Sequence, residues 1–176
     1  MILIISMLFR CFLLLAITVT PSYSEVYMTL KQGLKAAFPN AKRVIRTEIY
    51  LQGNDKAKIE DKFSVTLNSA YYVRYKMLND GEILGYAYID RHVVRSKMES
   101  ILIAFDKSTK VKRVLTLAFE EPLIYVATAT WLGAFFGKDP NKLNMPGMLG
   151  STITAHRIIE SVRRLGSIHQ FTLDKY

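Results

Sequence analysis

The sequence predicts an α+β fold: a curved antiparallel sheet with an N-terminal helix and two C-terminal helices. Three observations carry this expectation. Between Tyr71 and Phe119 the hydrophobic pattern has period two, the mark of strands. Turn signals at Asn79-Asp80-Gly81 and over Asp106 to Lys110 divide that region, and sequential hairpins make a meander its simplest topology. Apolar residues at helical spacing flank the region on both sides.

Residues 1–24 read as a secretory signal. Arg10 supplies the positive charge, Phe12 to Val19 an apolar core, and Pro21 breaks the helix before the small residues Ser22 and Ser24. Cleavage is expected after Ser24, with an uncleaved N-terminal anchor as the alternative reading. Cys11, the single cysteine, falls inside this segment. A processed chain would therefore hold no disulfide, thiolate metal site or cysteine nucleophile.

From Glu25 onward one domain is expected, its first part (25–69) a helical and strand extension. Thr29 to Phe38 reads as a helix with Leu30, Leu34 and Phe38 on one stripe, closed by Pro39-Asn40. Arg43 to Leu51 reads as a strand, and Asn54 as the cap of a short charged helix ending at Phe63. Strands follow over Tyr71 to Met77, Leu84 to Val94, Ser100 to Phe105 and Val111 to Phe119. Glu120-Glu121-Pro122 ends the meander. Leu123 to Phe136 then reads as one helix, with Leu123, Val126, Ala127, Thr130, Trp131, Ala134 and Phe135 on an apolar face. Gly137 to Pro140 breaks it.

The formal net charge is +9. The basic residues are scattered and lack aromatic interleaving, so a nucleic-acid partner is not expected. Docking on an anionic partner protein or a membrane surface is the reading that fits an exported chain. His92, His156 and His169 stand apart with no metal-ligand spacing, no Gly-x-Ser-x-Gly elbow occurs, and no carboxylate pair stands out in sequence. A conventional hydrolase is poorly supported.

The stretch Pro146 to Gly166 gathers the remaining chemistry. A loop with Gly147 and Gly150 leads to Ser151, Thr152 and Thr154, and a helix follows with Ile158, Ile159, Val162 and Leu165 on one face. Two readings stay open on these residues alone. One is a plain N-cap after a turn. The other is an anion site, because first-turn N–H groups lack internal partners and the helix dipole adds positive charge there. It is neither a capping box nor a P-loop.

The segment Gly150-Ser151-Thr152-Ile153-Thr154 resembles the [Ser/Asp]-Gly-Ala-Thr-x-[Ser/Thr] motif of the FMN-binding domain family. That family includes the flavin-carrying subunits of Rnf complexes and of sodium-pumping NADH:quinone oxidoreductases, and stand-alone exported flavoproteins. Gly81 to Ala87, Ile101 to Val114, Glu121-Pro122 and Trp131 to Lys138 resemble further family segments and occur in the family's order. The resemblance covers residues 70–166 and implies an FMN-binding domain over 70–176. It implies one FMN per chain, joined through its phosphate to Thr152 by a flavin transferase, with Gly150, Ser151, Ile153 and Thr154 around it. By position it also nominates Glu99, Glu121, Tyr125 and Trp131 for the flavin pocket. The implied role is an exported electron carrier, periplasmic or on the outer face of the cytoplasmic membrane, serving membrane or periplasmic redox proteins. Leu149 and Pro146 depart from the family pattern, standing where Ser or Asp and an upstream Asp are usual; Met98 replaces a histidine ahead of the third strand. The alternative is a non-redox accessory module that keeps the fold without flavin.

Overall fold

The computed structural model describes residues 25–173 and 175; the expected leader, residues 1–24, lies outside them. Strands β1 (Glu25–Val26), β2 (Arg43–Tyr50), β3 (Tyr71–Asn79), β4 (Glu82–Val93), β5 (Met98–Asp106) and β6 (Val111–Phe119) form one antiparallel sheet in the order β1-β6-β5-β4-β3-β2. From β3 to β6 this is the expected meander, and β2, which reaches β3 through an intervening helix, extends it at the edge. The added edge strand β1, which pairs Glu25 with Phe119 and Val26 with Ala118, has no period-two signal because it is too short to carry one.

The sheet is covered on both faces, and β5 shows why. Ile101, Ile103 and Phe105 enter one core while Leu102 and Ala104 enter the other, all fully buried. Opposite side-chain directions at alternate positions make this unavoidable for a central strand. Helix α1 (Leu30–Ala37) covers the smaller face through Leu34, Ala37 and the following Phe38. Its start is specified locally: the Thr29 hydroxyl accepts from Gln32 N–H, and the Gln32 side chain accepts from Thr29 N–H at 2.7 Å, a capping box.

On the larger face lie helices α2 (Asp55–Phe63), α3 (Ala129–Gly133) and α4 (Thr152–Thr172). Asn54 precedes α2 as expected, without a side-chain capping bond. Ile158, Val162 and Leu165 of α4 are buried against β4 and β5, and Ile159 is half-buried. The helix continues past Gly166, where the close approach of Pro140 leaves no room for a side chain. A Cβ there would lie 2.3 Å from the Pro140 Cβ.

The segment 123–136 departs from the expected single helix. Leu123–Tyr125 is one 3₁₀ turn, Val126 is extended, and only then does α3 begin, capped by the Thr128 hydroxyl accepting from Trp131 N–H. The break has a tertiary cause. The Ile124 and Tyr125 carbonyls, which helix bonds would otherwise use, accept from the Ser151 and Thr154 hydroxyls at 3.1 and 2.6 Å. Ala127, Trp131 and Phe135 of the expected apolar face are buried, whereas Leu123 and Ile124 stay exposed.

Candidate functional site

Two segments meet at the start of α4, and their meeting is set by the hydroxyls that break the 123–136 helix. Gly150 takes φ +78°, a left-handed conformation that suits glycine, and it turns the chain from the loop into the helix. Ser151 occupies the N-cap position, but its hydroxyl is spent on Ile124 and makes no capping bond. The first-turn N–H groups of α4 therefore have no side-chain cap, at the positive end of a 21-residue helix.

Gly150, Ser151, Thr152, Ile153 and Thr154 line a pocket of about 230 Å³ together with Tyr125 and Arg95. Thr152 is exposed, the first residue of the helix, its hydroxyl making a long bond of 3.4 Å to the Met148 carbonyl. Ser151 and Thr154 are buried and hold the backbone; Thr152 is the hydroxyl left facing solvent. Arg95 stacks its guanidinium 4.4 Å from the Tyr125 ring centroid, which keeps a full positive charge on the pocket rim. Around this polar centre Leu123, Ile124, Leu149 and Ile153 are all exposed, Leu149 completely.

Glu121 acts on this site from behind. Its Oε1 accepts from the N–H groups of Ser96 and Lys97 at 2.6 and 2.9 Å, so it fixes the turn that carries Arg95. The Ser96 N–H holds its carboxyl below the usual carboxylate range. Trp131 supports the loop: buried, edge-on to Phe135, it donates from Nε1 to the Pro146 carbonyl at 2.9 Å. Neither Glu121 nor Trp131 lines the pocket. Glu99 also stands apart from it.

Glu99 belongs to a buried network that sequence reasoning missed. His92 lies between two carboxylates, with Nδ1 2.9 Å from Asp90 Oδ2 and Nε2 2.9 Å from Glu99 Oε2. The Ser161 hydroxyl of α4 donates to Asp90 at 2.6 Å, and Arg164 donates to the other Asp90 oxygen at 2.8 Å. Burial opposes charge on His92, but the bonds to Asp90 and Glu99 outweigh it and raise its pKa to about 9. Burial likewise opposes ionisation of Asp90; the bonds from His92 and Ser161 and the Arg164 charge prevail, holding it at about 2. The expectation that no carboxylate pair stands out is thus corrected in space. The signal was present: Asp90 and His92 are two apart on one strand face, and His92 faces Glu99 across the β4–β5 register. Of the other histidines, His156 is exposed, and His169 is fully buried among Tyr86, Tyr88 and Phe105.

Among the described residues no helix is long and apolar enough to cross a membrane. Comparison with protein-family models and with curated proteins returns no match for this chain.

Proposed function

We propose that the chain is an exported electron-transfer flavoprotein that carries one FMN through a phosphoester to Thr152. The observation that carries this reading is the exposed Thr152 hydroxyl at an uncapped helix N-terminus beside Arg95. A phosphate there is matched by helix N–H groups, by the dipole and by a guanidinium fork. The pocket of about 230 Å³ fits a phosphate rather than a whole flavin. The ring system would therefore sit over the apolar rim, where Leu123, Ile124, Leu149 and Ile153 are exposed. FMN supplies one- and two-electron chemistry when bound. This chain's residues anchor the phosphate, exclude water from one ring face and fix the point of attachment. With a flavin phosphoanhydride as donor, the Thr152 oxygen would form the new P–O ester bond as the donor's P–O–P bond breaks, the displaced phosphate leaving with the bonding electron pair and the hydroxyl proton passing to a base of the transferase.

Intact mass after co-expression with a flavin transferase tests the proposal. One FMN adduct is expected on the chain and none on Thr152→Ala. An unmodified parent, or an adduct that survives Thr152→Ala, overturns it. Membrane or periplasmic redox proteins are the partners this reading requires.

One observation favours the accessory-module alternative. The Ser151 and Thr154 hydroxyls are already satisfied by backbone carbonyls, so the loop is held without any ligand. A colourless protein with no visible flavin absorbance after co-expression selects that reading.

A further inference from the structure

Strand β6 is open along part of its outer edge. At one end β1 pairs with Phe119 and Ala118, and the Tyr27 and Met28 N–H groups donate to the Leu117 carbonyl. At the other end Val111 donates to the Lys138 carbonyl and accepts from Gly137 N–H. Between these closures no described segment pairs with the edge at 112–116. Arg113 to Thr116 pair without a break with Ala104 to Ile101 of β5, so the open stretch is regular strand. Its outward backbone groups are a template for a further strand.

A groove of about 630 Å³ runs along this edge. Five consecutive residues, Lys112 to Thr116, line it, whereas a cavity over one sheet face would meet alternate residues. Its opposite wall is apolar, built from Val126, Ala127, Leu132 and Phe136, the last 73% exposed. No carboxylate lines it. On the α1 side of the sheet Lys112 lies 5.5 Å from the Phe38 ring centroid, and Arg113 donates to the Ala36 carbonyl. Neither forms an ion pair with a carboxylate among the described residues. A strand added to this edge turns successive side chains to opposite sides. One set meets the apolar wall, and the other meets the two cations.

We propose that the β6 edge takes up an extended segment of a partner protein, with alternating apolar and acidic side chains, as an added strand of the sheet. Backbone bonds supply the attachment, and the two walls supply the choice of sequence. A second copy of this chain does not fit the gap. Two-fold pairing about Val114 sets Val111 against Leu117 of the other copy, where both edges are already taken. Edge cations such as Lys112 and Arg113 also discourage pairing between like-charged copies. Nothing in this inference requires flavin at Thr152.

Fluorescence anisotropy of the full chain with a labelled, end-capped peptide of alternating valine and glutamate tests it. One peptide per chain is expected, bound about tenfold more tightly than a valine–lysine peptide of the same length. Methylation of every second peptide amide should abolish binding in one phase and spare it in the other, because alternate amides of an added strand face β6. Phe136→Ala changes an exposed side chain, and should weaken binding about fivefold or more with the melting curve unchanged. Lys112→Glu/Arg113→Glu should reverse the preference in favour of the lysine peptide. Absence of binding by the glutamate peptide overturns the proposal, as do equal affinity for the lysine peptide and equal binding in both methylation phases. A peptide-free dimer in sedimentation that Phe136→Ala dissociates also overturns it, by giving the groove to a second copy.

Discussion

His92 and Glu99 face each other across the β4–β5 hairpin with Nε2 and Oε2 2.9 Å apart, and Asp90 holds the opposite ring nitrogen at the same distance. Burial of a cation between two anions ties the hairpin to α4 through Ser161 and Arg164. His169, further along the same helix, is buried in the opposite sense, among aromatic rings and near Arg74. One histidine is stabilised charged and the other neutral.

This pair predicts a stability maximum near pH 6.5. The raised pKa of His92 contributes stability that is complete below about 6.5 and disappears as pH rises through about 9. The His169 pKa is lowered to about 3, first by burial and then by the Arg74 charge. Below about pH 6.5 the unfolded chain takes up a proton that folded His169 refuses, so stability falls with acidification until about pH 3. The carboxyl of Asp90 adds a further loss only below about pH 4. Urea denaturation from pH 4 to 9.5 should give a dome with limbs of about 2 kcal/mol or more. His169→Phe should flatten the acid limb and His92→Gln the alkaline one. Two unchanged limbs would refute both assignments.

The three hydroxyls at the start of α4 should divide cleanly by role. Thr154→Val removes the 2.6 Å bond to the carbonyl of half-buried Tyr125 and should cost about 1–3 kcal/mol. Thr152→Val alters an exposed side chain and should change stability by under about 0.5 kcal/mol while abolishing any flavin adduct. Denaturation midpoints and intact masses of the same two proteins check both halves.

Trp131→Phe keeps an aromatic ring against Phe135 but loses the indole N–H bond to Pro146. A loss of about 1–2 kcal/mol is expected. Hydrogen exchange should quicken over residues 146–150 while the exchange of β5 stays as it was. Uniform acceleration across the chain would mean that Trp131 is only a packing residue.

Gly166→Ala places a methyl against the Pro140 ring and should destabilise by about 1–3 kcal/mol through overpacking. Gly147→Ala, in the opening loop, has nothing within 4 Å of its added Cβ and should be close to neutral. Thermal melts of the two variants make the comparison directly.

Local signals carried most of the fold into the sequence. The capping box at Thr29, the Asp80-Gly81 turn and the alternation through β3 to β6 act over a few residues, so they can be read without neighbours. One misread element is instructive. Residues 123–136 have helical spacing, yet two carbonyls in that segment are claimed by hydroxyls nearly thirty residues away. A hydrogen bond from a distant segment leaves no periodic trace.

The candidate site divides along the same line. The sequence by itself determined that a glycine turn and hydroxyls open the last helix, because turn and cap chemistry is local. Only the tertiary structure decided which hydroxyl faces solvent, since Ser151 and Thr154 are consumed by carbonyls of another segment and Thr152 is not. It also brought Arg95 to the pocket rim and gathered Asp90, His92 and Glu99 into one network. Those placements depend on strand register and on how α4 crosses the sheet. Both are fixed by burial of the whole core rather than by any short run of residues.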